Sequence, residues 1–228
     1  MTSQVKHLHR ALAVALLLSA GASTGRADPD AQTILKDARM AQTSQERTLA
    51  GHLRVQSTGV VIPFTLVLAG EMIRYEFKNQ AVILWLGENG SQLMEAAHGD
   101  TQKITPARYD KPVEGTDITY EDLSLKFLYW PKAKIDGSET VGLENCWKLH
   151  IEPGGQPSSY AVVLLWVAKQ TGSPLQGEGY DKAGKLIKRF KVIKAQRDPQ
   201  GGWMLKQMRI ETLAEGKDTS VTYLEIDK

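Results

Sequence analysis

Residues 160–167 read YAVVLLWV, eight positions without a charge, between a Gly/Ser/Pro-rich stretch and the polar turn KQTGSP at 169–174. The run is too short to span a bilayer. As a strand it is unusual, because a strand with one solvated face alternates apolar with polar residues. Both faces therefore need apolar neighbours. Val163, Leu165 and Val167 are expected to face the interior of a sheet. Val162, Leu164 and Trp166 then need cover from the polar segment 99–119, from a helix or from another chain.

The flanking sequence places this run among antiparallel strands. On one side Trp147, Leu149 and Ile151 alternate with Lys148 and His150. On the other, residues 175–180 lead through the turn Asp181-Lys182-Ala183-Gly184 into residues 186–193. Residues 203–213 and 219–226 follow after the turn Asp198-Pro199-Gln200-Gly201-Gly202. Earlier, Leu49, Gly51, Leu53 and Val55 alternate with His52, Arg54 and Gln56, and four further strand-like segments reach residue 96. Polar links of two to four residues join them. Such links make hairpins and are too short for parallel crossovers. Residues 99–119 read as a long loop or cover, and residues 120–128 as a helical turn running into a strand. The fold class is thus mainly β with a few α: about ten or eleven strands and one to three helices, in one domain over residues 28–228.

The first 27 residues are a separate matter. Lys6 and Arg10 precede the apolar run ALAVALLLSAGA at 11–22, and Gly25-Arg26-Ala27 forms an A-x-A-like cleavage site. This is the layout of a signal peptide, which places the mature chain in the periplasm. Without that segment 201 residues remain, with 25 basic and 26 acidic side chains. That balance argues against a nucleic-acid partner, which would select a basic domain. Asp28-Pro29-Asp30 then starts an amphipathic helix through Thr43, with Ile34, Leu35, Ala38 and Ala41 at helical spacing.

Residue patterns that carry chemistry are few. Beyond residue 27 there is no G-x-S-x-G, and His52, His98 and His150 have no H-E-x-x-H or i,i+4 partner. Each histidine reads as a surface-facing strand residue. Glu121-Asp122 read as a cap or turn rather than an acid/base pair. Cys146, the sole cysteine, can form no internal disulfide and reads as a small buried residue, with a reactive thiol as the alternative. No catalytic residue, metal ligand or cofactor site is assigned. Lys185, Lys188, Arg189, Lys191, Lys194 and Arg197 crowd one arm, either as a lysine-guarded edge strand or as a docking surface for an acidic partner or membrane.

What stands out is apolar surface. One long antiparallel sheet with few helices must curl on itself or leave an apolar face open. An unclosed barrel under short helices solves this and encloses a hydrophobic pocket. In the first half Leu53, Val55, Phe64, Leu66, Tyr75, Phe77 and Trp85 are expected to line it. In the second half the expected lining is Trp147, Leu149, Val163, Leu165, Val167 and Phe190.

The run GLENCWKLHIEP at 142–153, followed by VVLLWVAKQTGSPLQGEGYDKAGKLIKRFKV at 162–192, resembles the outer membrane lipoprotein-sorting proteins of the LolA-like superfamily. TYEDL at 119–123 and GGWMLKQMRIET at 201–212 are similar to further segments of that family. The chain departs from the family pattern at Ala168, where Asp is usual after W-V. The resemblance implies an unclosed antiparallel barrel with a helical lid, and a role in carrying lipid-modified proteins or lipids across the periplasm. It implies acyl chains as ligand, with an inner-membrane lipoprotein-releasing transporter and an outer-membrane acceptor as partners, and no cofactor. A sensor on the same fold, reading lipoprotein without moving it, is the alternative, and an envelope lipid hydrolase a remote third.

Overall fold

Short polar turns between apolar alternating segments leave the chain little choice but to fold back on its last strand each time. A computed structural model describes residues 29–43, 46–197, 203–214 and 217–227, and these form one thirteen-stranded antiparallel sheet that does not close. The signal-peptide segment and the 198–202 turn lie outside the described residues.

The first wing runs β1 (Arg47–Val55), β2 (Val61–Ala69), β3 (Met72–Glu76), β4 (Gln80–Leu86), β5 (Ser91–Ala97) and β6 (Asp100–Lys103). The second runs β7 (Lys132–Val141), β8 (Glu144–Glu152), β9 (Val162–Ala168), β10 (Pro174–Tyr180), β11 (Leu186–Arg197), β12 (Trp203–Ala214) and β13 (Lys217–Ile226). The spatial order is β6-β5-β4-β3-β2-β1-β13-β12-β11-β10-β9-β8-β7. Both wings meet where β1 pairs with β13, Gly51 opposite Ile226 and Leu53 opposite Leu224. The free edges are β6 and β7, and residues 104–131 run from one to the other.

Thirteen strands replace the ten or eleven expected. The two missed are the edges: β6 is exposed throughout, and β7 alternates Lys132, Lys134 and Asp136 with small or half-buried residues. Edge strands carry charge because an unpaired apolar edge would recruit other chains. Residues 120–128 hold no strand. They form α2 (Tyr120–Ser124) and a 3-10 turn, Lys126–Tyr129. The basic arm is not an edge either, since β11 lies between β10 and β12.

Helix α1 (Ala31–Thr43) is capped by Asp30, whose carboxylate accepts from the Thr33 backbone N–H at 2.9 Å. Its buried stripe of Ala31, Ile34, Leu35 and Ala38 packs on Leu149, Ile151, Val163, Leu165 and Val167. The inner face of β9 is therefore the face with odd numbers. Its reverse is covered neither by residues 99–119 nor by a helix. Trp166 packs with Cys146 and Ala168, donates to Glu139 at 2.8 Å, and lies under the Lys148 ammonium. Cys146 is fully buried there, and that burial pushes its thiol pKa up. The second apolar cluster joins Leu53, Phe64, Leu66, Leu84, Ile210 and Leu224 to Ile104, Tyr109, Val113 and Ile118 from the crossing segment.

Candidate functional site

The inner surface of the curled sheet is only partly filled. An inner lobe of about 190 Å³ lies beneath the crossing segment, between Leu123, Leu125 and Phe127 above and Leu165, Gly177, Phe190 and Ile210 below. An outer lobe of about 400 Å³ extends to the end where β1, β10 and β12 begin, past Leu49, Leu68 and Met204 to Gln170, Thr171 and Ser173. Ile73, Tyr75, Val192, Leu205 and Met208 line both lobes, so the two adjoin. Burial there pushes the Tyr75 phenol up to about 12.

Irregular strands shape this wall. Leu205 and Met208 stand three apart, a spacing that regular alternation sends to opposite faces. Between β11 and β12 the register shifts twice, at Val192/Lys194 and at Lys194/Ala195. The offset turns Leu205 to the same side as Met208, and Ala195 to the same side as Val192.

The roof is held by polar contacts. Thr119 caps α2 in a reciprocal capping box with Asp122. Tyr120 donates its hydroxyl to Glu95 of β5 at 2.6 Å, and Arg108 makes a two-pronged contact with the same carboxylate at 2.9 and 3.0 Å. Those donors, Arg108 first, hold the Glu95 carboxyl below its usual range. Glu121 accepts from Ser158 and from the Ser159 backbone N–H, while Asp122 accepts from Tyr160 and faces Lys188 at 3.4 Å. Lys188 also donates to the Asp117 carbonyl and to Thr212. Asp117 in turn accepts from Ser220 and Thr222 of β13 at 2.7 and 2.8 Å. The stretch TYEDL thus ties the roof to β5, β11 and the segment before β9, with Leu123 at the cavity. Leu125 follows in the left-handed region, φ 48°, a conformation that costs an L-residue about 1–2 kcal/mol.

Of the thirteen residues expected to line the cavity, Leu66, Tyr75, Leu165 and Phe190 do so. Leu53 and Phe64 are buried in the first-wing cluster, with Phe77 edge-on to Phe64 at 6.0 Å. Leu149, Val163 and Val167 are consumed by α1, and Trp147 packs beside them. Val55 is half-buried near the far end of β1. Trp85 is 44 % exposed on the outer face, because its neighbours Leu84 and Leu86 take the inner one. Ile73 and Val192 share an alternation with Tyr75 and Phe190; the three roof residues also alternate, with Ser124 and Lys126, but in a segment that forms helical turns rather than the expected strand.

Two of the three histidines beyond residue 27, His52 and His150, belong to the convex face. His52 lies between Glu225 at 2.8 Å and Asp227 at 3.0 Å, His150 beside Asp136 and Glu152, and His98 in a turn. Arg189 pairs with Glu178 and Glu211, so part of the basic arm is neutralised. Among the described residues no group of three His, Cys, Asp or Glu side chains could hold a metal ion.

The model of a family described as an uncharacterized protein matches residues 93–228. No curated protein matches the sequence. Among solved structures, a DUF1329 family protein from Desulfovibrio piger is 18% identical with a TM-score of 0.67, covering 87% of this chain and 91% of that one. A domain designated outer membrane lipoprotein-sorting protein, from Vibrio parahaemolyticus, is 16% identical with a TM-score of 0.67, covering 87% and 90%. A LolA superfamily protein from Nitrosomonas europaea is 16% identical with a TM-score of 0.64, covering 88% and 92%. What these three share with the chain is the fold.

Proposed function

We propose that this chain, which belongs to the family matched over residues 93–228 and carries the LolA-like superfamily fold, is a non-catalytic periplasmic carrier. It binds acyl chains of lipid-modified proteins or of lipids and delivers them towards the outer membrane. The observation that supports this reading is the mainly apolar inner lobe, adjoined by a larger and more polar outer one, under a roof tied down by polar contacts. Each methylene withdrawn from water contributes about 0.8 kcal/mol, so exposing a sixteen-carbon chain costs on the order of 12 kcal/mol. A cavity as apolar as the bilayer makes loading and release nearly balanced, and needs no nucleophile or metal. The periplasmic placement rests on the signal-like first 27 residues. An inner-membrane lipoprotein-releasing transporter and an outer-membrane acceptor are the partners such a route requires.

Native mass spectrometry of the mature protein purified from envelope extracts is expected to show a co-purified acyl species. A protein that stays empty even after incubation with acylated peptides overturns the reading. Moving a labelled acyl-peptide from donor to acceptor vesicles separates a carrier from a sensor, which binds without delivering.

A further inference from the structure

Glycine inside a strand weakens it, and it marks either a local distortion or a place where something must come close to the backbone. The described strands contain four. Gly137 sits at a bulge with φ +141°. At Gly51 an added Cβ would lie 2.6 Å from the Glu225 carbonyl and 2.8 Å from the Phe64 ring, and at Gly179 it would lie 2.6 Å from the Tyr160 ring. These three have a structural cause. Gly177 has none. It is buried, has no left-handed φ, and its Cβ would meet Leu165 at 3.7 Å and Phe190 at 3.8 Å, ordinary contact distances.

Its position is specific. One rung crosses the inner wall through Leu149, Leu165, Gly177, Phe190 and Ile210. β10 alone brings no side chain to it, and the gap faces the inner lobe. We infer that Gly177 sets the length of chain the cavity accepts: the inner lobe takes the distal end of a straight acyl chain, and the bare backbone at 177 makes room for its last methylenes. The inference rests on the carrier reading above.

The test uses the mature, delipidated protein as wild type, Gly177→Ala and Gly177→Leu. Straight-chain acids from decanoic to octadecanoic displace the fluorescent probe N-phenyl-1-naphthylamine, and Tm is measured in parallel. Wild-type affinity is expected to rise along the series. Gly177→Leu should match wild type for decanoic acid and fall behind for the longer acids, by roughly fourfold for each methylene excluded. That is more than tenfold at octadecanoic acid. Gly177→Ala should show a smaller shift in the same direction with Tm equal to or above wild type, since alanine here restricts the unfolded chain without strain. If both variants bind every length as wild type does, the inference is overturned and the carrier reading stands. If Gly177→Ala lowers Tm, the glycine is a packing residue and the inference fails. If wild type binds no acid at all, the carrier reading falls and takes the inference with it.

Discussion

A methyl group at position 51 or 179 would have nowhere to go. The Phe64 ring lies across Gly51 and the Tyr160 ring across Gly179. Urea denaturation of Gly51→Ala and Gly179→Ala should therefore show losses of about 1–3 kcal/mol, the cost of overpacking, where Gly177→Ala shows none. On the convex face Glu225 is the residue to titrate. Arg54 first, then Gln207 and His52, donate to its carboxylate and hold its pKa down at about 2. A carboxyl whose folded pKa lies below its unfolded value stabilises the fold above the unfolded pKa, and that contribution is lost as pH falls towards the folded one. Between about pH 4.3 and about 2, wild type should lose more stability than Glu225→Gln, as measured by urea midpoints across that window. A parallel loss in both proteins would place the acid sensitivity elsewhere.

At the scale of elements, the crossing segment is held both by polar contacts at Arg108, Asp117 and residues 120–122 and by the buried side chains of Ile104, Val113, Ile118, Leu128 and Trp130. Glu95→Gln keeps the shape of the side chain but removes the charge that holds Arg108 and Tyr120. Hydrogen exchange in residues 104–131 should accelerate on that substitution, while β9 and β12 stay protected. Uniform acceleration would mean that Glu95 supports the whole sheet instead. How far elements could be read from sequence follows the same physics. Hairpins with one wet and one dry face, such as β1–β2 or β8, declare both their existence and their inward side. β6 declares neither, because its four residues are polar on both faces, and in β7 the alternation of Lys132, Lys134 and Asp136 with Ala133 and Ile135 gives way after five residues to the polar stretch Gly137 to Thr140. In β4 the run Ala81 to Leu86 is apolar on both faces, so nothing in the pattern kept Trp85 out of the expected cavity. Leu205 was hidden for a different reason: the shifted register between β11 and β12 breaks the alternation on which any such reading depends. The expected residues that do line the cavity, Leu66, Tyr75, Leu165 and Phe190, all lie on regular stretches of strand.

For the whole molecule, the pairing of β1 with β13 is what makes two wings one body. It joins positions as distant as Gly51 and Ile226, so much chain must be ordered before the pairing forms. Leu224 is buried at this seam opposite Leu53. Leu224→Ala should cost about 2–5 kcal/mol and lower a single transition, with Trp85 of one wing and Trp166 of the other reporting the same midpoint. Two separate midpoints would show that the wings fold apart.

The route of residues 104–131 from β6 to β7 has a mechanical sense. The sheet is a bow, and this segment is the string between its tips. Were the tips to spread, the span the string covers would lengthen, and it would have to straighten or draw on its two short helical turns, α2 and Lys126–Tyr129. Leu125, in a left-handed conformation, joins those two turns. A wider bow would need a tauter string.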